Sequence, residues 1–139
     1  RIQQISYGDI YGIIETSQPH SRVDMYLGSG GAPEGVLAAA ALQCIGGQMQ
    51  GKLLFRNDDE RGRAAKMGIE NFDRVYGIND LASGDVIFSA TGVTDGGLLK
   101  GVSRTPASAE THSIVMRSMT GTVREIATRH DFTRKPSAG

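Results

Sequence analysis

The chain has 139 residues, 15 Lys+Arg against 15 Asp+Glu, and a formal net charge of zero; that length suits one domain able to bury a core without a disulfide or metal staple. The charge balance argues against a general nucleic-acid or polyanion binder, which would carry a basic excess, and no apolar run reaches the ~18–20 residues that span a bilayer. The single cysteine, Cys44, rules out an intrachain disulfide framework and suits a reducing cytoplasm. The 19 glycines are roughly twice the usual share, so backbone turns and close approaches are expected.

Taken in chain order, Ile2 to Ser6 reads as a short strand that stops at Tyr7-Gly8-Asp9. Because the chain starts at Arg1 rather than Met, within an apparent element, it reads as cut from something longer. Asp9 is placed to begin a helix with Ile10, Ile13 and Ile14 on one face. Arg22 to Leu27 alternates, with Val23, Met25 and Leu27 on one side, and predicts a strand. A glycine loop from Gly28 to Gly31 leads into the clearest helix. Pro33 lies in its first turn, Val36, Leu37, Ala40, Ala41, Cys44 and Ile45 recur at helical spacing, and Gly46-Gly47 supply the stop. This helix is small and apolar nearly all round, which predicts close packing on a sheet with cover on its other side.

Gly51 to Phe55 predicts a strand, and Asn57 or Asp58 can cap a polar helix through Lys66 with Asp59 and Arg63 at i, i+4. Phe72 to Ala82 reads as a loop and short helix, and Asp85 to Ala90 as a buried strand. Thr111 to Arg117 and Thr122 to His130 form a hairpin about Ser118–Gly121. This order predicts an α/β fold with a mainly parallel sheet and a C-terminal antiparallel hairpin. Residues 1–133 form one unit, and 134–139 a frayed tail.

The richest chemistry lies in Gly28-Ser29-Gly30-Gly31-Ala32-Pro33-Glu34-Gly35. A glycine-rich turn entering a helix presents unpaired N–H groups at the positive end of the dipole, where phosphate binds well. Glu34 in the same turn would compete with phosphate unless both share a divalent cation such as Mg²⁺ or Mn²⁺. The plainer alternative is a glutamate that only stabilises the helix start. Pro33 stands where a dinucleotide fingerprint needs glycine. Gly46 to Leu53 mimics a P-loop but has Leu53 where Ser or Thr must reach magnesium, and it follows a helix instead of preceding one. Asp9, at the carboxyl end of an expected strand, can either accept from sugar hydroxyls or cap the following helix. His20, His112 and His130 have no partner at ligand spacing, and Cys44 reads as a buried hydrophobe.

Gly30-Gly31-Ala32-Pro33-Glu34-Gly35-Val36 with its alanine-rich helix closely resembles the class II (GlpX-type) fructose-1,6-bisphosphatases. The likeness continues through Gly51 to Leu54, Lys66 to Ile69, Val86 to Thr94, Gly101 to Arg104 and Arg129 to Phe132. The resemblance implies a layered sugar-phosphatase fold related to the inositol monophosphatases, a cytoplasmic location and Mg²⁺ or Mn²⁺ dependence. The implied reaction is removal of the 1-phosphate of fructose 1,6-bisphosphate in gluconeogenesis, with sedoheptulose 1,7-bisphosphate a substrate of some relatives. Such enzymes are about twice this length, so the resemblance implies a C-terminal lobe that needs an N-terminal lobe and belongs to a homo-oligomer. It makes Glu34 a metal ligand and Gly31 a substrate-contacting backbone. Tyr7-Gly8-Asp9 falls on a substrate-binding Asp-Gly-Asp. There Gly8 and Asp9 match while Tyr7 replaces the first aspartate, a departure that bears on sugar binding and its selectivity. The family's Asp-Pro-x-Glu-Gly-Thr catalytic motif has no counterpart here, so no catalytic residue is assigned. Two alternatives remain: a non-enzymatic phosphosugar-binding module, or a degenerate truncated product with an exposed sheet edge.

Overall fold

The computed structural model describes residues 2–5 and 9–134. Helix α1 spans Asp9–Glu15 and α2 Ala32–Ile45. Strand β1 (Gln50–Lys52), helix α3 (Asp58–Lys66), strand β2 (Val75–Gly77) and helix α4 (Ile78–Leu81) follow. Strands β3 (Ile87–Thr91), β4 (Ser103–Arg104), β5 (Ser108–Arg117) and β6 (Thr122–Asp131) complete the chain.

The fold is α/β, but every strand pairing among the described residues is antiparallel, which corrects the expected mainly parallel sheet. Parallel pairing needs long crossovers, and among the described residues the segments expected to open such units form no strand. Ile2–Ile5 forms no strand, nor does 22–27. In the latter Met25 and Leu27 point to solvent while Tyr26, on the other side of the alternation, is half-buried. The expected strand at 51–55 is shorter and lies one residue earlier, as β1. It pairs with β2, a strand the sequence reading took for loop, in the register Gly51↔Tyr76.

The larger sheet is built around β5. Strand β6 follows one edge of β5 from Ser108↔Asp131 to Arg117↔Thr122. Strand β3 pairs along part of the other edge (Phe88↔Met116, Ala90↔Ile114), and β4 takes the remainder (Ser103↔Glu110). The hairpin appears where expected, and its turn closes at Gly121 with φ 57, a left-handed conformation that suits glycine. The expected buried strand at 85–90 is only half buried: Phe88 faces inward while Ile87 is 65% exposed.

The core lies between α1, α2 and the inner face of this sheet, where Ile14, Ala41, Cys44, Phe88, Ile114 and Met116 are buried together. The α2 alanines allow this close approach, and Gly46, at φ 82, ends the helix by donating to the Leu42 carbonyl at 2.9 Å. Cover fails near the start of α2, where Val36 and Leu37 remain 42% and 47% exposed, whereas Ala38, Ala39, Ala41, Leu42 and Cys44 are buried. Helix α3 starts as expected, with the Asn57 side chain accepting from Glu60 N–H at 2.9 Å. Its ion pair joins Arg56 to Glu60 rather than Asp59 to Arg63. Between β3 and β4, Val102 donates to Val93 O at 3.1 Å and Gly101 to Asp95 Oδ1 at 2.9 Å. A Cβ at Gly92 would collide with the Lys100 carbonyl. Arg134 pairs with Asp131 at 3.5 Å; the rest of the expected frayed tail, 135–139, lies outside the described residues.

Candidate functional site

The glycine loop delivers its helix as the sequence reading expected. Gly31 is the N-cap of α2 in extended geometry (φ −71, ψ 157), and its carbonyl accepts from Gly35 N–H at 3.1 Å. No side chain caps this end, so the first amides that the helix leaves unpaired face outward. Glu34 is exposed in that first turn, and its carboxylate folds back over Gly31, whose missing Cβ leaves room for Oε2. Carboxylate and N-terminal amides thus share one exposed corner.

Tyr26 holds this corner against α1. Its ring covers Gly12 of α1, where an added Cβ would lie 2.9 Å from the ring, and it also closes over Gly28. The first half of α1 is therefore brought alongside the loop that enters α2. Asp9 is the first residue of α1; Tyr7 and Gly8 lie outside the described residues. Tyr26 was missed by the sequence reading. Its signal was weak: a glycine within a short helix and another two residues after a tyrosine.

Among the described residues, no group of three or more His, Cys, Asp or Glu side chains comes close enough to hold a metal ion. Glu34 is a hard oxygen donor of the kind Mg²⁺ and Mn²⁺ take, and it suits one position in such a site. A cleft of about 870 Å³ lies at the opposite end of α2 between Gln18–Ser21, Gly46 and the β6 residues Val123 and Glu125. There Tyr11 sits on Gly97, and burial together with the neighbouring Glu15 carboxylate raises its phenol above the usual range. Cys44 is buried, and burial pushes its thiol up, so it behaves as the hydrophobe expected. His112 and His130 stand in β5 and β6, as expected, and His130 reaches Thr111 Oγ1 at 3.3 Å.

A family model described as bacterial fructose-1,6-bisphosphatase, glpX-encoded, matches residues 1–130. The class 2 D-fructose 1,6-bisphosphatase/sedoheptulose 1,7-bisphosphatase of Microcystis aeruginosa is 37% identical over 96% of this chain and 43% of its own length. Fructose-1,6-bisphosphatase 1 class 2 of Escherichia coli K12 is 40% identical over 97% of this chain and 44% of its own length. The chain thus spans less than half the length of these curated relatives. No described helix is long and apolar enough to cross a membrane. The match over nearly the whole chain, with Gly31 capping the helix that carries Glu34, places this chain in the glpX-encoded fructose-1,6-bisphosphatase family.

Proposed function

We propose that this chain supplies the Glu34 portion of a divalent-metal site that hydrolyses the 1-phosphate of fructose 1,6-bisphosphate in a cytoplasmic enzyme of gluconeogenesis. The observation that carries the reading is the placement of the Glu34 carboxylate over Gly31 at the uncapped start of α2. A bound Mg²⁺ or Mn²⁺ supplies Lewis-acid stabilisation of phosphoryl charge. In this chain Glu34 holds that cation with one carboxylate. The N–H groups of Ala32 and Glu34 remain to donate to a phosphate oxygen, because Pro33 has no N–H and Gly35 N–H is engaged with Gly31 O. Gly31 leaves its backbone open to substrate, and Asp9, with Gly8 and Tyr7, orients the sugar. The group that activates water belongs to the N-terminal lobe, together with the other carboxylates. Sedoheptulose 1,7-bisphosphate, which the name of the Microcystis relative includes, is the second substrate to assay.

Manganese titration followed by electron paramagnetic resonance tests Glu34. The 139-residue chain is expected to bind Mn²⁺ weakly, and Glu34→Gln to lose most of that binding. Equal binding by the two proteins would remove Glu34 from the site.

A further inference from the structure

The stretches Val86 to Thr94 and Gly101 to Arg104 carry part of the family likeness but no role in the proposed site. Between β3 and β4 the chain closes on itself. Val102 N–H donates to Val93 O, Gly101 N–H to Asp95 Oδ1, and Gly96 N–H to Leu99 O at 3.0 Å. A Cβ at Gly101 would lie 2.6 Å from the Thr94 carbonyl carbon and 2.7 Å from Asp95 N, so the two arms of the loop meet backbone to backbone. Leu98 and Leu99 pack against the core. Loop 92–101 is therefore a braced unit, fixed to the same core as α1. Helix α1 has only seven residues, too few to persist as an isolated helix. Ile10 and Ile14 tie one face of it to the core, and two rings oppose rotation about that face. The Tyr26 ring lies on Gly12. The Tyr11 ring lies on Gly97, where a Cβ would fall inside the ring. The Glu15 carboxylate, one turn along the helix, stands beside the Tyr11 hydroxyl.

Resting on the sugar-orienting role proposed for Asp9, we propose that Tyr11 is a positioning residue for the sugar end of the site. Seated on Gly97, its ring passes the rigidity of loop 92–101 to α1 and so fixes where Asp9, the first residue of that helix, stands. A ring on a glycine leaves no intervening side chain to give way, so the helix follows the loop closely. Tyr26 acts on another face of α1, toward the Glu34 corner. A disturbance at the Tyr11–Gly97 contact therefore reaches sugar binding and spares the cation. This gives the 92–101 loop, which lies outside the metal corner, a part in the reaction.

Two titrations on the 139-residue chain test this, with melting curves to confirm that each variant is folded. Saturation-transfer NMR with fructose 1,6-bisphosphate and Mg²⁺ reads sugar binding, including weak binding, and Mn²⁺ paramagnetic resonance reads Glu34. Gly97→Ala and Tyr11→Leu should each weaken sugar bisphosphate binding about fivefold or more and leave Mn²⁺ affinity unchanged. Tyr11→Phe, which keeps the ring, should bind the sugar as wild type does. Asp9→Asn should weaken sugar binding by itself, and adding Gly97→Ala to it should cost little more, because the contact acts through Asp9. Sugar binding that Asp9→Asn weakens but Gly97→Ala and Tyr11→Leu leave unchanged would overturn the positioning role alone. So would a parallel loss of Mn²⁺ affinity, or an additive loss in the double variant, since either marks a general loosening of the chain. A wild type with no sugar binding, or one indifferent to Asp9→Asn, would overturn both the positioning role and the proposed role of Asp9.

Discussion

Gly31 and Glu34 are coupled through space rather than through backbone strain. Gly31 has φ −71, which alanine adopts freely, yet a methyl group there would meet the Glu34 carboxylate. Gly31→Ala should therefore leave the helix intact and displace that carboxylate, lowering Mn²⁺ affinity with little change in melting temperature; a calorimetric titration beside a melting curve separates the two effects. Unchanged affinity would mean that Glu34 binds equally well from another rotamer. At the hairpin turn, Arg117 hydrogen-bonds Asp85 at 2.5 Å, and that bond holds the Asp85 carboxyl below its ordinary range. Because the folded-state value is lowered, the stabilisation is present above the unfolded carboxylate value and is lost as pH falls through the folded one. Asp85→Asn should melt lower than wild type at neutral pH, and the gap should narrow as the solution is acidified below pH ~4. A gap that stays constant with pH would assign the loss to packing. Glu34 and Gly31 were legible in the sequence because a proline, a glycine-rich turn and a carboxylate within one helical turn carry local geometry. Tyr26, which positions them, was not legible, since its contacts with Gly12 and Gly28 depend on how two segments meet.

Elements with strong local signals formed where the sequence placed them. Helix α2 has proline at its start and glycine at its end, and α3 has Asn57 as cap. The β5–β6 hairpin has two long β-rich runs and a glycine turn. Segments 2–5 and 22–27 have the alternation of strands but form none among the described residues, and alternation alone does not make a strand. β2 was hidden because its three residues gain strand geometry only from β1. The parallel sheet failed because the short 118–121 turn permits only an antiparallel β5–β6 pair, and β3, across the longer 92–107 connection, also pairs antiparallel with β5. Two substitutions measure these elements. Leu42 is fully buried on α2, and Leu42→Ala should cost about 2–5 kcal/mol in denaturant unfolding. Asn57→Ala removes the α3 cap and should cost about 1 kcal/mol, with the loss confined to that peripheral helix in hydrogen exchange.

At the scale of the whole molecule, surface and site agree. Large apolar side chains such as Leu27, Leu54, Met67 and Val93 stand 73% or more exposed, and the chain spans less than half of its relatives' length. The exposed surface exceeds what a compact chain of this mass shows. The candidate site follows the same pattern, with Glu34 in no group of three or more metal-binding side chains among the described residues. Family membership was legible from the loop and helix around Glu34, whereas the extent of the uncovered surface required the fold. The most direct measurement is phosphate release from fructose 1,6-bisphosphate by the purified 139-residue chain with Mn²⁺ or Mg²⁺, beside Glu34→Ala. No release above background from either protein is expected if this chain holds part of a site. Turnover by the wild-type chain that Glu34→Ala abolishes would contradict it, because the complete site would then lie within these residues.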